Sequence, residues 1–440
     1  MSTGRIEFSS KFGIIAATVG SAVGLGNIWR FPYEAGTHGG GAFLICYIFF
    51  VFLIGVPTIC AEFTMGRAGR IGIPGAYRLG HSSRKWDFIG YGGILAAFLI
   101  LGFYAVVAGW TFEYILESVT GAFRDTTSEI RHAHFEDFIS GWRAVCWTIL
   151  FLLVNAAVSL GGVQKGIERV SNILMPLLFI ILIAFCINSL FMPGFGDGVS
   201  FLFHPDFSKL TPDVILSALG QAFFSLSLGM GCLITYASYF SDNTPLVKTA
   251  GQIAILDTLV AILAGIIIFP AVFSFGMSPA EGPTLVFEVL PGIFNQMPGG
   301  SIWSTLFFIL LAVASLTSII SVSEIVVAFL SDEIKISRTT ATWVLTAVTI
   351  VTSTLCSLSF GPLKSTNLFN IFDYVSSNIL MPLGGIGVCL FVGWKMKIED
   401  AIGELHQKTG VPMWLVKIIL LIIKYVAPIC ILTVFLAGLL

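Results

Sequence analysis

The sequence predicts an all-α membrane protein with eleven transmembrane helices. Of its 440 residues, 56% are hydrophobic and only 11% are charged, and the mean hydropathy is +0.92. A helix needs about 20 mostly apolar residues to cross a bilayer. The composition therefore excludes a soluble protein, and we expect the lipid bilayer as a partner and no nucleic acid. Eleven apolar segments meet the requirement: 11–36, 42–66, 88–118, 143–160, 166–190, 214–240, 245–274, 301–331, 338–357, 368–395 and 412–438.

The basic residues predict the orientation of these segments. Most lysines and arginines fall in connections that share one side if the N-terminus is cytoplasmic. This asymmetry satisfies the positive-inside rule and places the C-terminus outside. The polar start, Met1 to Lys11, is not followed by a small-residue cleavage site, so no signal peptide is predicted.

Segments one and six each contain a glycine-rich interruption, at residues 20–30 and 225–231. Glycine costs about 1 kcal/mol per helical site relative to alanine. Unwound backbone at membrane depth must be buried in protein or line a water-filled cavity, where its polar groups find hydrogen-bond partners. Segments one and six correspond if the chain holds two five-helix halves inserted in opposite directions. Paired breaks in inverted halves point to a transporter binding site.

Close helix packing is the alternative explanation of these glycines. The explanation as a binding site is favoured by the polar residues at the break points, Asn27, Ser225 and Ser227. We accordingly divide the chain into a first repeat, an extracellular connection, a second repeat, and a cytoplasmic loop with the eleventh helix, at 1–190, 191–213, 214–395 and 396–440.

Several polar residues within the apolar segments are candidates for function, because charged groups there are costly. Arg30 and Asp373 could close an outer vestibule as an ion pair. Glu62 is expected to accept hydrogen bonds from freed amides beside a broken helix. Thr317 and Ser318 could ligate sodium, although such hydroxyls most often bond to their own helix.

Other features have simpler explanations or stay open. Gly166 and Pro176 allow segment five to unwind on its cytoplasmic side, and a static kink fits their spacing equally well. The cysteines lack the spacing of metal ligands and are expected to be small, buried hydrophobic residues. His132 and His134, in the long outer loop, are expected to be solvated. No histidine lies at mid-membrane depth, so an intramembrane enzyme is not favoured.

Two stretches resemble a known family. SAVGLGNIWRFP at 21–32 and GQAFFSLS at 220–227 look like the neurotransmitter:sodium symporters, and the bacterial amino-acid transporters with the leucine transporter fold are the closest in kind. The resemblance implies a 5+5 inverted repeat with broken helices 1 and 6 plus one extra helix. It also implies symport rather than enzymatic activity, the bacterial inner membrane, and a monomer or weak dimer.

The resemblance implies two sodium sites. The first would use Ala22, Asn27, Ser225 and Asp257; the second would use Gly20, Val23, Ala314, Thr317 and Ser318. Asp257 departs from the family, which has an asparagine there. Chloride-dependent members hold the anion near residues matching Tyr47, Gln221 and Ser225, and chloride-independent ones often carry a glutamate where this chain has Ala261. We expect the Asp257 carboxylate to supply that negative charge, so that transport needs no chloride.

The resemblance also implies a substrate pocket and two gates. Because Gly24 stands where monoamine carriers have aspartate, the substrate should bring its own carboxylate. We expect a neutral hydrophobic L-amino acid, with bulky or aromatic ones included. The pocket would comprise Ser21, Ala22, Leu25, Gly26, Ile100, Tyr104, Phe224, Ser225, Ser227, Met230, Ser318 and Val322. The outer gate would pair Arg30 with Asp373, and the inner gate Arg5 with Asp332, aided by Phe8, Ser238 and Tyr239.

One alternative stays open at this point. An ionisable carboxylate at position 257 also allows a proton-coupled carrier or exchanger with the same fold. Uptake without sodium, driven by a pH gradient, would favour this alternative.

Overall fold

Helices account for all the apolar segments, and no strand occurs among the residues described. The computed structural model describes residues 6–79, 84–124, 126–276, 286–406 and 411–439. A single helical turn lies at Ile73–Ala76, and a 3₁₀ turn at Phe207–Lys209. The other helices are α1 (Lys11–Ala22), α2 (Gly26–Thr37), α3 (Gly41–Gly69), α4 (Arg84–Thr120), α5 (Ser128–Ser140), α6 (Trp142–Leu160), α7 (Val163–Ser189), α8 (Phe195–Phe203), α9 (Pro212–Ser225), α10 (Cys232–Ala237), α11 (Leu246–Ser274), α12 (Val289–Asn295), α13 (Gly300–Asp332), α14 (Arg338–Leu358), α15 (Lys364–Lys395), α16 (Ile398–His406) and α17 (Met413–Ala437).

The all-α membrane class is confirmed. Within the described ranges, nine helices are long and apolar enough to cross a membrane alone, and the bent pair α1 and α2 makes a tenth span. Segment six is divided into α9, of 14 residues, and α10, of 6 residues. Both pieces are shorter than a spanning helix requires, so the total of eleven stays a prediction.

Segment one is broken where its glycines predict. Ser10 caps α1, because its Oγ accepts a hydrogen bond from the Gly13 amide at 2.9 Å. The helix ends at Ala22, Val23 is extended, and α2 starts at Gly26 with its axis bent by 53° from that of α1. The Val23 amide still donates to the Val19 carbonyl, and the carbonyls of Gly20, Ser21 and Ala22 lack helical partners.

Segment six loses its helical winding between α9 and α10. Ser227, Gly229 and Gly231 all have left-handed backbones, with φ of 54°, 84° and 83°. This conformation is strained for serine, and Ser227 is held by donating its Oγ to the Ser21 carbonyl at 3.0 Å. The two breaks thus contact each other directly, as the paired glycine runs predict.

Gly229 fixes the second break against its surroundings. Its amide donates to Oε1 of Glu62 at 2.8 Å, which confirms the expected structural role of that carboxylate. A side chain at Gly229 would overlap the Met381 carbonyl, and one at Gly384 would overlap the Gly229 carbonyl. Only glycine permits this contact between the break and the backbone of α15.

The broken helices lie inside a scaffold of longer ones. α13 packs extensively on α4, and 78% of its most apolar window is buried. α17 has only 22% of its window buried and so lies at the edge of the bundle. We call the face with the start of α1 the inner face, following the orientation predicted from the basic residues, and the opposite one the outer face.

Candidate functional site

A buried carboxylate lies beside the two breaks. Asp257, on α11, is fully buried. Its Oδ1 accepts from Nδ2 of Asn27 at 2.7 Å, and its Oδ2 accepts from Oγ of Ser225 at 2.7 Å and from the Tyr47 hydroxyl at 3.2 Å. Asn27 Nδ2 also lies 2.9 Å from Oγ of Ser225. Three residues assigned to the first sodium site therefore meet at one point.

The partners of Asp257 are all neutral. Among the described residues no lysine, arginine or histidine forms an ion pair with it. A carboxylate out of water is costly unless a cation or a proton neutralises it. The cluster is thus chemically suited to hold a small cation among oxygen ligands.

A second set of oxygens lies on the inner side of the first break. Oγ of Ser318 donates to the carbonyls of Val23 at 3.1 Å and Gly20 at 3.5 Å. Thr317 instead donates to carbonyls of its own helix, including Ala314 at 3.0 Å. All five residues assigned to the second sodium site lie here, with Ser318 bridging to α1 and Thr317 bonded within α13.

A cavity of about 50 Å³ lies between the breaks and α4, α13 and α15. Every residue predicted for the substrate pocket lines it except Leu25, which lines the vestibule described below. The Tyr104 hydroxyl accepts from the Leu25 amide at 3.2 Å, at the unwound stretch. The predicted residues that line the cavity are Ser21, Ala22, Gly26, Ile100, Tyr104, Phe224, Ser225, Ser227, Met230, Ser318 and Val322.

Four further residues line the cavity and were not predicted: Gly24, Phe103, Ser377 and Met381. Ser377 and Met381 lie at a π-helical turn of α15, Val375–Leu380, and just after it. No glycine run or charge marks this turn as part of a binding site. Gly24 could have been predicted to line the cavity, because it lies inside the first break.

The outer vestibule has a volume of about 530 Å³ and an aromatic lining that includes Trp29, Trp110 and Phe287. Phe224 lines both the vestibule and the inner cavity, as do Gly26, Phe103, Tyr104 and Ser377, so these residues lie where the two meet. The Arg30 guanidinium carbon lies 4.5 Å from the centre of this ring. Phe224 is therefore placed as a lid with a cation above it.

The predicted outer gate residues both line the vestibule. Nε of Arg30 lies 3.5 Å from Oε1 of Glu34, its ion-pair partner in this structure. Asp373 accepts from Oγ of Ser377 at 3.0 Å. Both residues thus line the vestibule, and the ion pair found for Arg30 among the described residues is with Glu34 and not with Asp373.

The inner face is sealed by the chain preceding α1. The Phe8 ring packs edge-on against Tyr236 and Tyr239, and its amide donates to the Tyr239 carbonyl at 3.1 Å. Asp332 accepts from the Gly72 amide at 2.9 Å. Arg5 lies outside the described residues. Ser238 bonds to the Thr235 carbonyl of its own turn.

Helix α5 forms part of the vestibule wall through Phe135. His132 Nδ1 lies 2.8 Å from Oε2 of Glu288, and His134 Nε2 lies 2.6 Å from Oε1 of Glu117. Both histidines were predicted to be solvated, and both contact carboxylates of other elements. His132 contacts Glu288 in the turn before α12, and His134 contacts Glu117 of α4.

We expect the docking of α5 to weaken as pH rises. The hydrogen bond and charge of Glu288 raise the pKa of His132 above its ordinary 6.5, so the stabilisation is present below that value and is lost as pH rises through the raised pKa. Amide exchange of α5, corrected for intrinsic rates, should quicken between pH 5.5 and 8.5. The change should be at most about fivefold, because the His132 side chain is 56% exposed. H132A should reduce it and leave the contact of His134 with Glu117 in place; an unchanged pH dependence in H132A would contradict the assignment.

Comparison with known proteins agrees with this geometry. The model of the sodium:neurotransmitter symporter family matches residues 5–134 and 128–440. A Bacillus subtilis protein named an uncharacterised sodium-dependent transporter, YhdH, is 37% identical over 437 residues, covering 98% of this chain and 97% of the relative. A Haemophilus influenzae protein of the same description is 35% identical, covering 99% and 98%.

The similarity extends to a solved structure. The crystal structure of MhsT in complex with L-phenylalanine superimposes with a TM-score of 0.90 at 44% identity, covering 99% of this chain and all of that one. The bovine sodium-dependent dopamine transporter is more distant, at 25% identity over 92% of this chain and 65% of its own length.

Proposed function

Because this chain belongs to the sodium:neurotransmitter symporter family, we propose that it is a sodium-coupled symporter of a neutral, hydrophobic L-amino acid. The fold and the family establish a multi-pass, sodium-dependent transporter. The proposal adds the substrate class, two bound sodium ions, independence from chloride and alternating access across the inner membrane of a bacterium.

The buried carboxylate of Asp257 is the observation that carries this proposal. Its neutral donors, Asn27, Ser225 and Tyr47, orient the carboxylate and leave its charge uncompensated. A sodium ion bound between Asp257, Asn27, Ser225 and the Ala22 carbonyl would neutralise it. The negative charge that chloride supplies in chloride-dependent members of the family would then come from the Asp257 side chain.

The second sodium ion would occupy the oxygens between α1 and α13. The carbonyls of Gly20 and Val23 converge on Oγ of Ser318, and a sodium ion could bind between these three oxygens with the hydroxyl proton turned away from it. Thr317 and the Ala314 carbonyl would complete the set from α13. Each sodium entering down a potential of 100 mV contributes about 2.3 kcal/mol to uptake.

The cavity supports an amino acid with an apolar side chain. Ile100, Met230 and Val322 contribute apolar side chains to its lining, and the unwound backbone, Tyr104 and the Ser318 hydroxyl contribute polar groups. The substrate carboxylate would bind at the first break beside the sodium ion. The L-phenylalanine bound by MhsT supports a bulky or aromatic side chain. The volume of about 50 Å³ requires Phe224 or Met381 to move on binding.

The two repeats would supply the alternating access. We propose that 1–190 and 214–395 rock against each other about the site, with 191–213 outside and 396–440 adding a cytoplasmic loop and α17. Arg30 and Asp373 would close the outer route over Phe224, while Arg5 and Asp332 would hold the inner one. The N-terminus would be inside and the C-terminus outside, in a monomer or weak dimer.

Uptake by proteoliposomes tests the proposal. We expect an inward sodium gradient to drive accumulation of one or more hydrophobic L-amino acids from a panel of twenty. Replacing sodium with choline should abolish accumulation, and replacing chloride with gluconate should leave it unchanged. A large loss in gluconate would overturn chloride independence.

A proton-coupled carrier or exchanger is the second candidate, because a proton would also neutralise Asp257. It predicts accumulation driven by a pH gradient when choline replaces sodium. That result would replace sodium coupling with proton coupling on the same fold.

A further inference from the structure

A large cavity on the outer face lies apart from both the substrate cavity and the vestibule. It has a volume of about 550 Å³, close to that of the vestibule, and the two have no lining residue in common. Its wall is formed by the turn after α4, by α5, by α12 and by the first turn of α13. None of the residues assigned to sodium, substrate or gates lines it, so the proposed transport does not account for this cavity.

The cavity is positively charged. Arg124 and Arg131 line it, and no acidic residue of the described part of the chain does so. Basic residues are scarce in the outer connections, which makes two in one cavity a distinctive feature of this face. Neither arginine forms an ion pair with a described residue. The cavity is therefore suited to an anion.

Arg131 is half-buried, and backbone carbonyls hold its guanidinium in place. Its Nε donates to the Glu288 carbonyl at 2.9 Å, and its Nη1 donates to the Thr126 carbonyl at 2.6 Å. Its Nη2 finds no acceptor among the described residues. A side chain at Gly292 would overlap Nη2, so glycine leaves room beside this donor. The carbonyls thus orient the guanidinium and leave both its charge and one of its nitrogens available to a ligand.

The amino end of α13 adds to this positive field. α13 has 33 residues, and its N-cap, Gly299, has a left-handed backbone with φ of 73° and no side chain to cap the helix. Aligned peptide dipoles place a partial positive charge at the amino end of a helix. Ser301, in the first turn, also lines the cavity and has a hydroxyl that can donate. The helix therefore reinforces the two guanidinium groups.

The cavity lies where two spanning helices leave the membrane. α4 ends at Thr120, just before the turn with Arg124, and α13 begins at Gly300. Ile302, in the cavity wall, is 66% exposed, and Val119, in the last turn of α4, is 65% exposed. Exposed apolar side chains at such a place are typical of contact with a membrane. A phospholipid could therefore place its headgroup in the cavity and its acyl chains beside these residues.

We propose that this cavity binds the phosphate group of an anionic ligand, and that the bound anion ties α5 and the turn after α4 to the start of α13. Guanidinium groups bind phosphate through strong, charge-assisted hydrogen bonds, which are frequently bidentate. An anionic phospholipid of the outer leaflet and a soluble phosphate share this chemistry. The exposure of Ile302 beside the arginines favours the lipid.

The bound anion would also stabilise one wall of the vestibule. Phe135 of α5 and Phe287, next to Glu288, both line the vestibule. Arg131 connects α5 to the Glu288 carbonyl just before α12. An anion that holds Arg131 therefore holds α5 and α12 together behind the vestibule, and slower amide exchange of both helices is the expected sign of binding.

Hydrogen exchange of the delipidated, full-length protein in a neutral detergent tests the site. The probes are a short-chain phosphatidylglycerol, a phosphatidylcholine with the same chains, and inorganic phosphate, at matched ionic strength. We expect phosphatidylglycerol to slow exchange in residues 128–140 and 289–302, at concentrations severalfold lower than phosphatidylcholine requires. Protection by phosphatidylglycerol alone would identify a lipid headgroup as the ligand, whereas equal protection by inorganic phosphate would identify free phosphate.

Variants of Arg124 test the charge with little risk to folding, because this residue is exposed. R124Q should raise the concentration of phosphatidylglycerol for half-maximal protection about fivefold, which is the usual contribution of one basic residue near an anionic lipid surface. R124E should raise it further. K364Q is the matched control, because Lys364 is an exposed cation of the outer face that does not line the cavity. It should bind the lipid as the wild-type protein does.

Three results would overturn the proposal. They are the absence of protection of residues 289–302 by both phosphatidylglycerol and inorganic phosphate, equal protection by phosphatidylcholine and phosphatidylglycerol, and unchanged binding in R124E. None of these measurements involves transport, so the anion site stands or falls separately from the sodium coupling proposed above.

Discussion

In chloride-free medium, replacing Asp257 with asparagine should reduce sodium-driven uptake by about 100-fold or more, because losing one member of a buried charge pair costs about 3–5 kcal/mol. The amide removes the negative charge that would bind sodium, and it brings an NH₂ group toward Asn27, Ser225 and Tyr47, which are already donors to this site. Sodium titration of substrate binding to purified protein measures the effect directly.

The same variant tests the origin of chloride independence. Once the carboxylate is gone, its three former donors face a site without an acceptor anion. We expect D257N to bind substrate better in chloride than in gluconate, whereas the wild-type protein should not distinguish them. The matched control is D197N, which changes an exposed carboxylate on α8. Wild-type sodium affinity in D257N without chloride would show that the negative charge of Asp257 is not needed to bind sodium.

Replacing Gly24 with alanine should have the second largest effect. The added methyl carbon would lie 2.6 Å from Oγ of Ser318 and 2.9 Å from the Tyr104 hydroxyl, too close for either to remain. Ser318 bonds to Val23, and Tyr104 bonds to Leu25. One substitution thus disturbs a proposed sodium ligand and a proposed substrate ligand at once.

We expect G24A to weaken substrate binding by about 10- to 100-fold, since displaced hydrogen bonds cost about 1 kcal/mol or more each. Scintillation proximity binding with a radiolabelled amino acid measures this. G220A is the matched control: it changes a glycine of α9 whose nearest neighbour would be 3.7 Å away, so binding and thermal stability should stay near wild type. Unaltered binding in G24A would mean that Tyr104 and Ser318 do not contact the ligand.

Much of the fold and part of the site could be predicted from sequence, because glycine placement and intramembrane charge leave local signals. Gly20, Gly24 and Gly26 mark the first break by their helix-breaking chemistry, and Glu62 lies next to the second break as expected. The meeting of Asn27, Ser225 and Asp257 rested on family resemblance, and the contacts agree with it.

The remaining contacts depend on tertiary packing that has no local signal. Ser377 and Met381 line the cavity because α15 has a π-helical turn there. Glu168 looks like an ordinary interfacial charge in the sequence, and its buried hydrogen bonds depend on Ser9 and Ser10 folding back onto α7. The hydrogen bonds of Thr317 and Ser318 also differ. The Thr317 hydroxyl donates to a carbonyl of its own helix, and the Ser318 hydroxyl donates to a carbonyl of α1.

The contact of Gly229 with Met381 and Gly384 limits how ligand preference can diverge in this transporter. Here backbone meets backbone, so a side chain added at Gly229 or Gly384 would have to displace a main chain. Ile100, Val322 and Met381 line the cavity with side chains that can be exchanged without moving a main chain. Adaptation to a larger or smaller amino acid should therefore proceed through such side chains, while the spacing of the main chains at Gly229 and Gly384 stays fixed.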